Sequence, residues 1–194
     1  MTDTDLAAGT ATKPPWWRLI VPTDLPFLYE LVTIVDPRWW RFSRGGLEPQ
    51  RVLATAQSIA AGVIVHDHDD RPIAAALLAD AGASGTGSFE YFAMPDAYAQ
   101  AIARDLAPEL IGAAFDGAPI RRLYHERFEG DPMLLGAAEA LFEVEVTYPA
   151  FAPIGGRFET RTISVLTSER FGEWRQQQRS AAQPEQQPEQ EPAS

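Results

Sequence analysis

The sequence contains no cysteine, which excludes disulfides, thiolate metal sites and a cysteine nucleophile together. Lysine is nearly absent as well: of the 16 basic residues only Lys13 is a lysine, and the rest are arginines. No lysine therefore lies within the expected folded region to form a Schiff base. Positive charge is scarce overall. With a formal net charge of -11, a nucleic-acid backbone would be repelled, and no nucleic-acid partner is expected. Long apolar runs are missing too, since stretches such as Ile73 to Ala79 are too short to cross a bilayer. The opening Met1-Thr2-Asp3-Thr4-Asp5 is acidic where a secretory signal needs basic residues. The expectation is a soluble, cytoplasmic protein with no membrane association.

What is present suffices for a core. A chain of 194 residues that is 45% hydrophobic is long enough for one compact domain and too apolar to be disordered throughout. Residues 1–15 are small and polar and end in Pro14-Pro15, which reads as a flexible lead. Residues 176–194 form a Gln/Pro/Glu/Ala tract without apolar periodicity, which reads as a disordered, solvating tail. The folded domain is expected over residues 16–175.

Within it, Trp17 to Val21 predicts a short strand, and Pro22-Thr23-Asp24 a turn leading into a helix. Leu25, Leu28, Tyr29, Leu31 and Val32 recur at helical spacing, with Pro37 closing that helix. Glu48 to Ala60 predicts a second helix. Val63 to Val65 and Ile73 to Ala79 read as strands. The small-residue turn Gly82 to Gly87 leads to a strand from Ser88 to Met94. A long helix follows over Ala99 to Phe115, then a strand over Arg122 to Glu126 and a helix over Met133 to Phe142. Val144 to Tyr148 and Thr160 to Thr167 are the last strands. The order β-α-α-β-β-β-α-β-α-β-β gives an α/β (α+β) domain, with a mixed, mostly antiparallel sheet flanked by helices.

Two local patterns mimic other sites. His66-Asp67-His68-Asp69-Asp70 offers two imidazoles and carboxylates that can bind zinc, but it falls where a hairpin turn is required, and aspartate favours turns. No metal is assigned. Ser84-Gly85-Thr86-Gly87 is glycine-rich but joins two strands instead of opening a helix, so it reads as a hairpin and not a phosphate loop.

The element order resembles that of the GCN5-related N-acetyltransferases (GNAT). Local features are similar to the branch of ribosomal-protein alanine acetyltransferases. Arg18-Leu19-Ile20 followed by Thr23-Asp24-Leu25-Pro26-Phe27-Leu28 resembles that family's first strand and helix. Tyr91-Phe92-Ala93-Met94-Pro95 resembles its fourth strand, Ala113-Ala114-Phe115 the end of its central helix, and Arg122-Leu123-Tyr124 its fifth strand. The resemblance implies an N-acyltransferase that uses acetyl-coenzyme A, with an acceptor amine attacking the thioester directly. The acceptor would be a small amine or a peptide N-terminus. Dimerisation is common in this fold.

In this family a loop of the form Arg/Gln-x-x-Gly-x-Gly/Ala, between the fourth strand and the central helix, turns its amides towards the pyrophosphate. Counting back from Phe115, the matching residues are Tyr98, Ala99, Gln100, Ala101, Ile102 and Ala103, with Phe92, Ala93 and Met94 at the strand end beside them. Ala101 replaces a glycine and Tyr98 replaces the basic or amide residue, so the loop is degenerate. That departure opens two other readings: a non-catalytic binding or regulatory module of the same fold, or an enzyme for a different acyl-coenzyme A. Asp131 stands where the family often places an asparagine near the thiol end of the cofactor, and it also suits a helix N-cap before Pro132. Leu134, where some members carry serine, offers no hydrogen bond.

For the chemistry, Glu90 is the candidate general base, because the fourth strand borders the reaction centre in this fold; it can equally be a solvent-facing carboxylate. Tyr124 and His125 are candidates for an acid or relay. Arg38, Trp39, Trp40, Arg41, Phe42 and Arg44 lie where the resemblance places one wall of the acceptor cleft. Their rings and guanidinium groups can bind an acceptor, or anchor a core or an interface.

Overall fold

The computed structural model describes residues 13–35, 48–57, 59–154 and 156–182. The first strand, β1 (Trp16–Leu19), leads through a 3-10 turn at Pro22–Asp24 into α1 (Leu25–Ile34), and α2 (Pro49–Gln57) follows. Strands β2 (Ala61–His66), β3 (Pro72–Ala79) and β4 (Thr86–Ala93) form a meander, and α3 (Ala97–Gly117) crosses over to β5 (Arg122–Phe128). The long strands β6 (Glu143–Ile154) and β7 (Arg157–Thr167) and the helix α4 (Ser168–Ala182) complete the chain.

The seven strands make one sheet in the order β1-β2-β3-β4-β5-β7-β6. Every neighbouring pair is antiparallel except β4 and β5. A parallel pair needs a crossover, and α3 supplies it. Alternate residues of the central strands face opposite layers. Phe89 and Tyr91 of β4 pack with Ile102, Leu110 and Ile111 of α3, while Phe92 packs with Leu28, Leu31 and Val32 of α1. β3 is buried along nearly its whole length, which accounts for its continuous apolar sequence.

The hairpin expected at residues 66–72 is present. Asp67 is buried and accepts the N–H groups of Asp69 and Arg71 at 2.8 and 2.9 Å, and Asp70 adopts a positive φ of 62°. The two histidines serve packing here: His66 stacks on Trp16 with ring centroids 4.5 Å apart, and His68 Nδ1 donates to the Lys13 carbonyl. Lys13 itself pairs with Asp70 at 2.6 Å and lies over the Trp16 ring. Residues 80–85 likewise turn β3 into β4, with the Gly85 N–H bonded to Gly82 O at 3.1 Å, and Thr86 and Gly87 already belong to β4.

β6 and β7 extend to Ile154 and from Arg157 through the stretch expected as a loop, and two other elements differ in kind from the sequence expectation. No α-helix spans Met133 to Phe142; the segment holds only a 3-10 turn over Gly136–Leu141. Its first residue has φ of 54°, and a Cβ there would overlap the Arg104 carbonyl oxygen of α3. That carbonyl is exposed to the approach because Pro108, four residues on within α3, has no N–H to give it. Contact with α3 therefore overrides the local helix propensity. The second difference is α4, which carries helix past residue 175 to Ala182. Its sequence is too polar to show periodicity. It is held by buried Phe171, which stacks on Phe115, and by Arg175, which reaches Asp116 at 2.9 Å.

At the other end of the sheet, Asp24 is buried, accepts both Arg18 guanidinium nitrogens at 2.6 and 2.7 Å, and takes the Val21 N–H at 2.8 Å. The Arg18 hydrogen bond is the main force holding its carboxyl below the ordinary carboxylate range. Burial pushes the neighbouring His66 imidazole below its usual value.

Candidate active site

β4 and β5 pair only over Thr86↔Arg122, Gly87↔Leu123 and Ser88↔Tyr124. Beyond that point β4 stays with β3 as far as Ala93, and β5 stays with β7 as far as Phe128. The two strands therefore diverge. The gap between them holds a cavity of about 430 Å³ that reaches Gln100 in the first turns of α3. Ile34 and Val35 at the end of α1 line it on one side, and Asp131 and Leu134 on the other.

Three of the four proposed catalytic residues meet in this cavity: Glu90, His125 and Asp131 all line it. At the divergence a side chain takes over from backbone pairing, as His125 Nδ1 donates to the Phe89 carbonyl at 3.0 Å. A carbonyl can only accept, so this bond places the proton on Nδ1 and leaves Nε2 with its lone pair. Burial pushes the imidazole below its usual value, outweighing the opposing effect of the Phe89 bond. Asp131 accepts the Phe128 N–H at 2.7 Å and so closes the turn after β5. It caps no α-helix, because none follows. Tyr124 is placed elsewhere, in a second depression with Asp80, Glu145 and Val146, where the Arg122 guanidinium lies over its ring.

Some lining residues escaped the sequence reading. Glu126 belongs to the cavity and is paired at 2.5 Å with Arg161, which also lies over the Phe151 ring. Arg127 and Phe128 line it as well, because β5 runs beyond Glu126. The period-two pattern of β5 contains them, but the divergence that exposes them is not encoded in any single residue.

The segment Tyr98 to Ala103 is not a loop. Helix α3 begins at Ala97, with Asp96 as its N-cap. The Asp96 carboxylate accepts the Ala99 N–H at 2.8 Å, and the Gln100 N–H returns to Asp96 O at 3.2 Å. Ala99, Ile102 and Ala103 are buried in the core, and the Ala103 carbonyl accepts the Tyr91 hydroxyl at 2.8 Å. Tyr98 and Ala101 are exposed, and Gln100 faces the cavity. Phe92 and Ala93 line the cavity from β4, and Met94 packs against both cores. Beyond Ser88 the β4 edge facing this cavity has no β5 partner. For a diphosphate, the Asp96, Ala97 and Tyr98 amides remain without an intrahelical or capping partner. Arg38, Trp39, Trp40, Arg41, Phe42 and Arg44 lie outside the described residues.

The titrating groups set an expectation for stability. Asp24, His66 and His125 all have folded values below their unfolded ones. The unfolded chain therefore takes up protons first, and the native state loses stability as pH falls. Thermal midpoints should be level above about pH 7, then decline as pH falls below 6.5, the ordinary histidine value. They should decline again below 3.8, the ordinary aspartate value. Asp24→Asn should flatten the second decline; a midpoint that rises between pH 7 and 5 contradicts the assignment.

A scan of the sequence against protein-family models finds no match, and a search of curated proteins finds none either. Comparison of folds gives a clear result: the chain has the GNAT fold. It superposes on a spermidine/spermine N-acetyltransferase from Vibrio cholerae with a TM-score of 0.67 at 14% identity, covering 83% of this chain and 96% of that one. A protein provisionally assigned as a phosphinothricin N-acetyltransferase superposes with a TM-score of 0.64 at 14% identity, over 79% of this chain and 98% of that one.

Proposed function

We propose that the protein is an N-acyltransferase that takes an acetyl group from coenzyme A and passes it to a small amine. The observation that carries this reading is the divergence of β4 and β5 after Ser88 and Tyr124, which opens a cavity reaching the start of α3. Acetyl-coenzyme A, when bound, would supply the thioester carbonyl that the acceptor amine attacks, with coenzyme A leaving as the thiol.

The chain's own residues then have two tasks. Glu90, Glu126 and Asp131 line the cavity with Arg127 and orient the acceptor amine, Glu126 being itself paired with Arg161. His125, with Nδ1 committed to Phe89, is the group whose Nε2 takes the proton from the attacking amine. Its lowered pKa keeps that lone pair available at neutral pH. No helix among the described residues is long and apolar enough to cross a membrane.

A second reading, a non-catalytic module of the same fold, draws support from the Asp96 cap on α3. Isothermal titration with coenzyme A and acetyl-coenzyme A separates the two. The acyltransferase reading expects saturable heat and a thermal shift. Neither signal at millimolar ligand would sink it.

A further inference from the structure

A diphosphate on the donor would have to be held at the first turn of α3, and that turn belongs to Asp96. Its carboxylate accepts the Ala99 N–H at 2.8 Å, filling the place an anion takes at a helix N-terminus. The helix is already wound at Ala97, and the Gln100 N–H is bonded back to Asp96 O. Residues 98–101 therefore present no concave array of amides. Among the described residues no basic side chain pairs with Asp96. Tyr98, which is 51% exposed, brings no charge.

We infer that Asp96 is a specificity-determining residue that weakens the hold on the donor's diphosphate at this point, so that coenzyme A is gripped chiefly through its pantetheine arm in the β4–β5 cavity. The inference rests on the acyl-thioester reading of that cavity. Like charges brought to within a few ångströms at this exposed helix end repel in a way that salt screens, and the helix dipole that would reward the diphosphate is already complemented by the chain's own carboxylate. Neutralising Asp96 removes the repulsion and leaves the pantetheine slot untouched.

The test is titration of the full chain and of its Asp96→Asn and Asp96→Ser variants with coenzyme A and with pantetheine, at low and at high salt. Both replacements keep a capping oxygen, so the helix start is preserved. Coenzyme A should bind both variants about tenfold more tightly than the parent, with the gain shrinking in high salt, while pantetheine binds all three alike. Equal coenzyme A affinity in parent and variants overturns the inference, as does a parallel gain for pantetheine. The parent alone gives a check independent of the variants' folding: coenzyme A should bind it no more tightly than pantetheine, and a clear preference for coenzyme A overturns the inference. If the parent binds neither ligand, the acyl-thioester reading itself fails, and this inference with it.

Discussion

Gly136→Ala is expected to destabilise the domain by about 3 kcal/mol, combining left-handed backbone strain with overpacking against α3. Gly136 has φ of 54°, and its added Cβ would meet the Arg104 backbone, which cannot swing aside as a side chain can. Gly156 provides the control. Its φ of 82° is equally left-handed, but a Cβ there meets nothing within 4 Å, so Gly156→Ala should cost only about 1 kcal/mol. Urea denaturation of the two variants measures both. If they lose the same stability, the contact with Arg104 is not what fixes Gly136. The expected loss is a large share of a typical domain's stability, because the turn it holds also places Leu134 and Leu135 in the core.

His125→Ala should lower kcat/KM about a hundredfold or more for the amine that supports turnover, the usual scale for removing a positioned base. The expectation follows from the Nδ1 bond to Phe89, which leaves a single ring nitrogen to serve the cavity. With its value pushed below 6.5, the parent should keep its rate down to slightly acid pH and lose it as His125 protonates. The variant should show no such limb. A His125→Ala enzyme with near-parent kcat/KM and an unchanged pH profile would remove His125 from the chemistry and leave Glu90 as the base.

The fold was legible where periodicity and punctuation agree. The apolar run at Ile73 to Ala79, the aspartate-rich turn at Asp67 to Asp70, and the long helix before Arg122 all stand as the sequence suggests. It was illegible where tertiary contact decides the local form. Gly136 is left-handed because of a carbonyl on another helix, and α4 is helical because Phe171 and Arg175 find partners on α3. At the site, Glu90 and His125 could be picked out from the strands that carry them. The divergence between those strands could not, since it lies in pairing that stops. At Tyr98 to Ala103 the sequence supported two readings at once, the start of the long helix from Ala99 and a phosphate loop, and the helix is what forms. A capped helix start and a phosphate loop use similar residues, and the choice turns on where Asp96 sends its carboxylate.

The near absence of lysine has a consequence at the bench. In an acyl-transfer assay the protein's own amines compete with the acceptor, and here the side-chain contribution reduces to Lys13. Its ammonium is bound to Asp70 and lies over Trp16. Acyl groups that accumulate on an added amine can therefore be counted with little self-modification to subtract. Amine-reactive surfaces or dyes would attach to the described part of the chain at one point, Lys13, just ahead of β1.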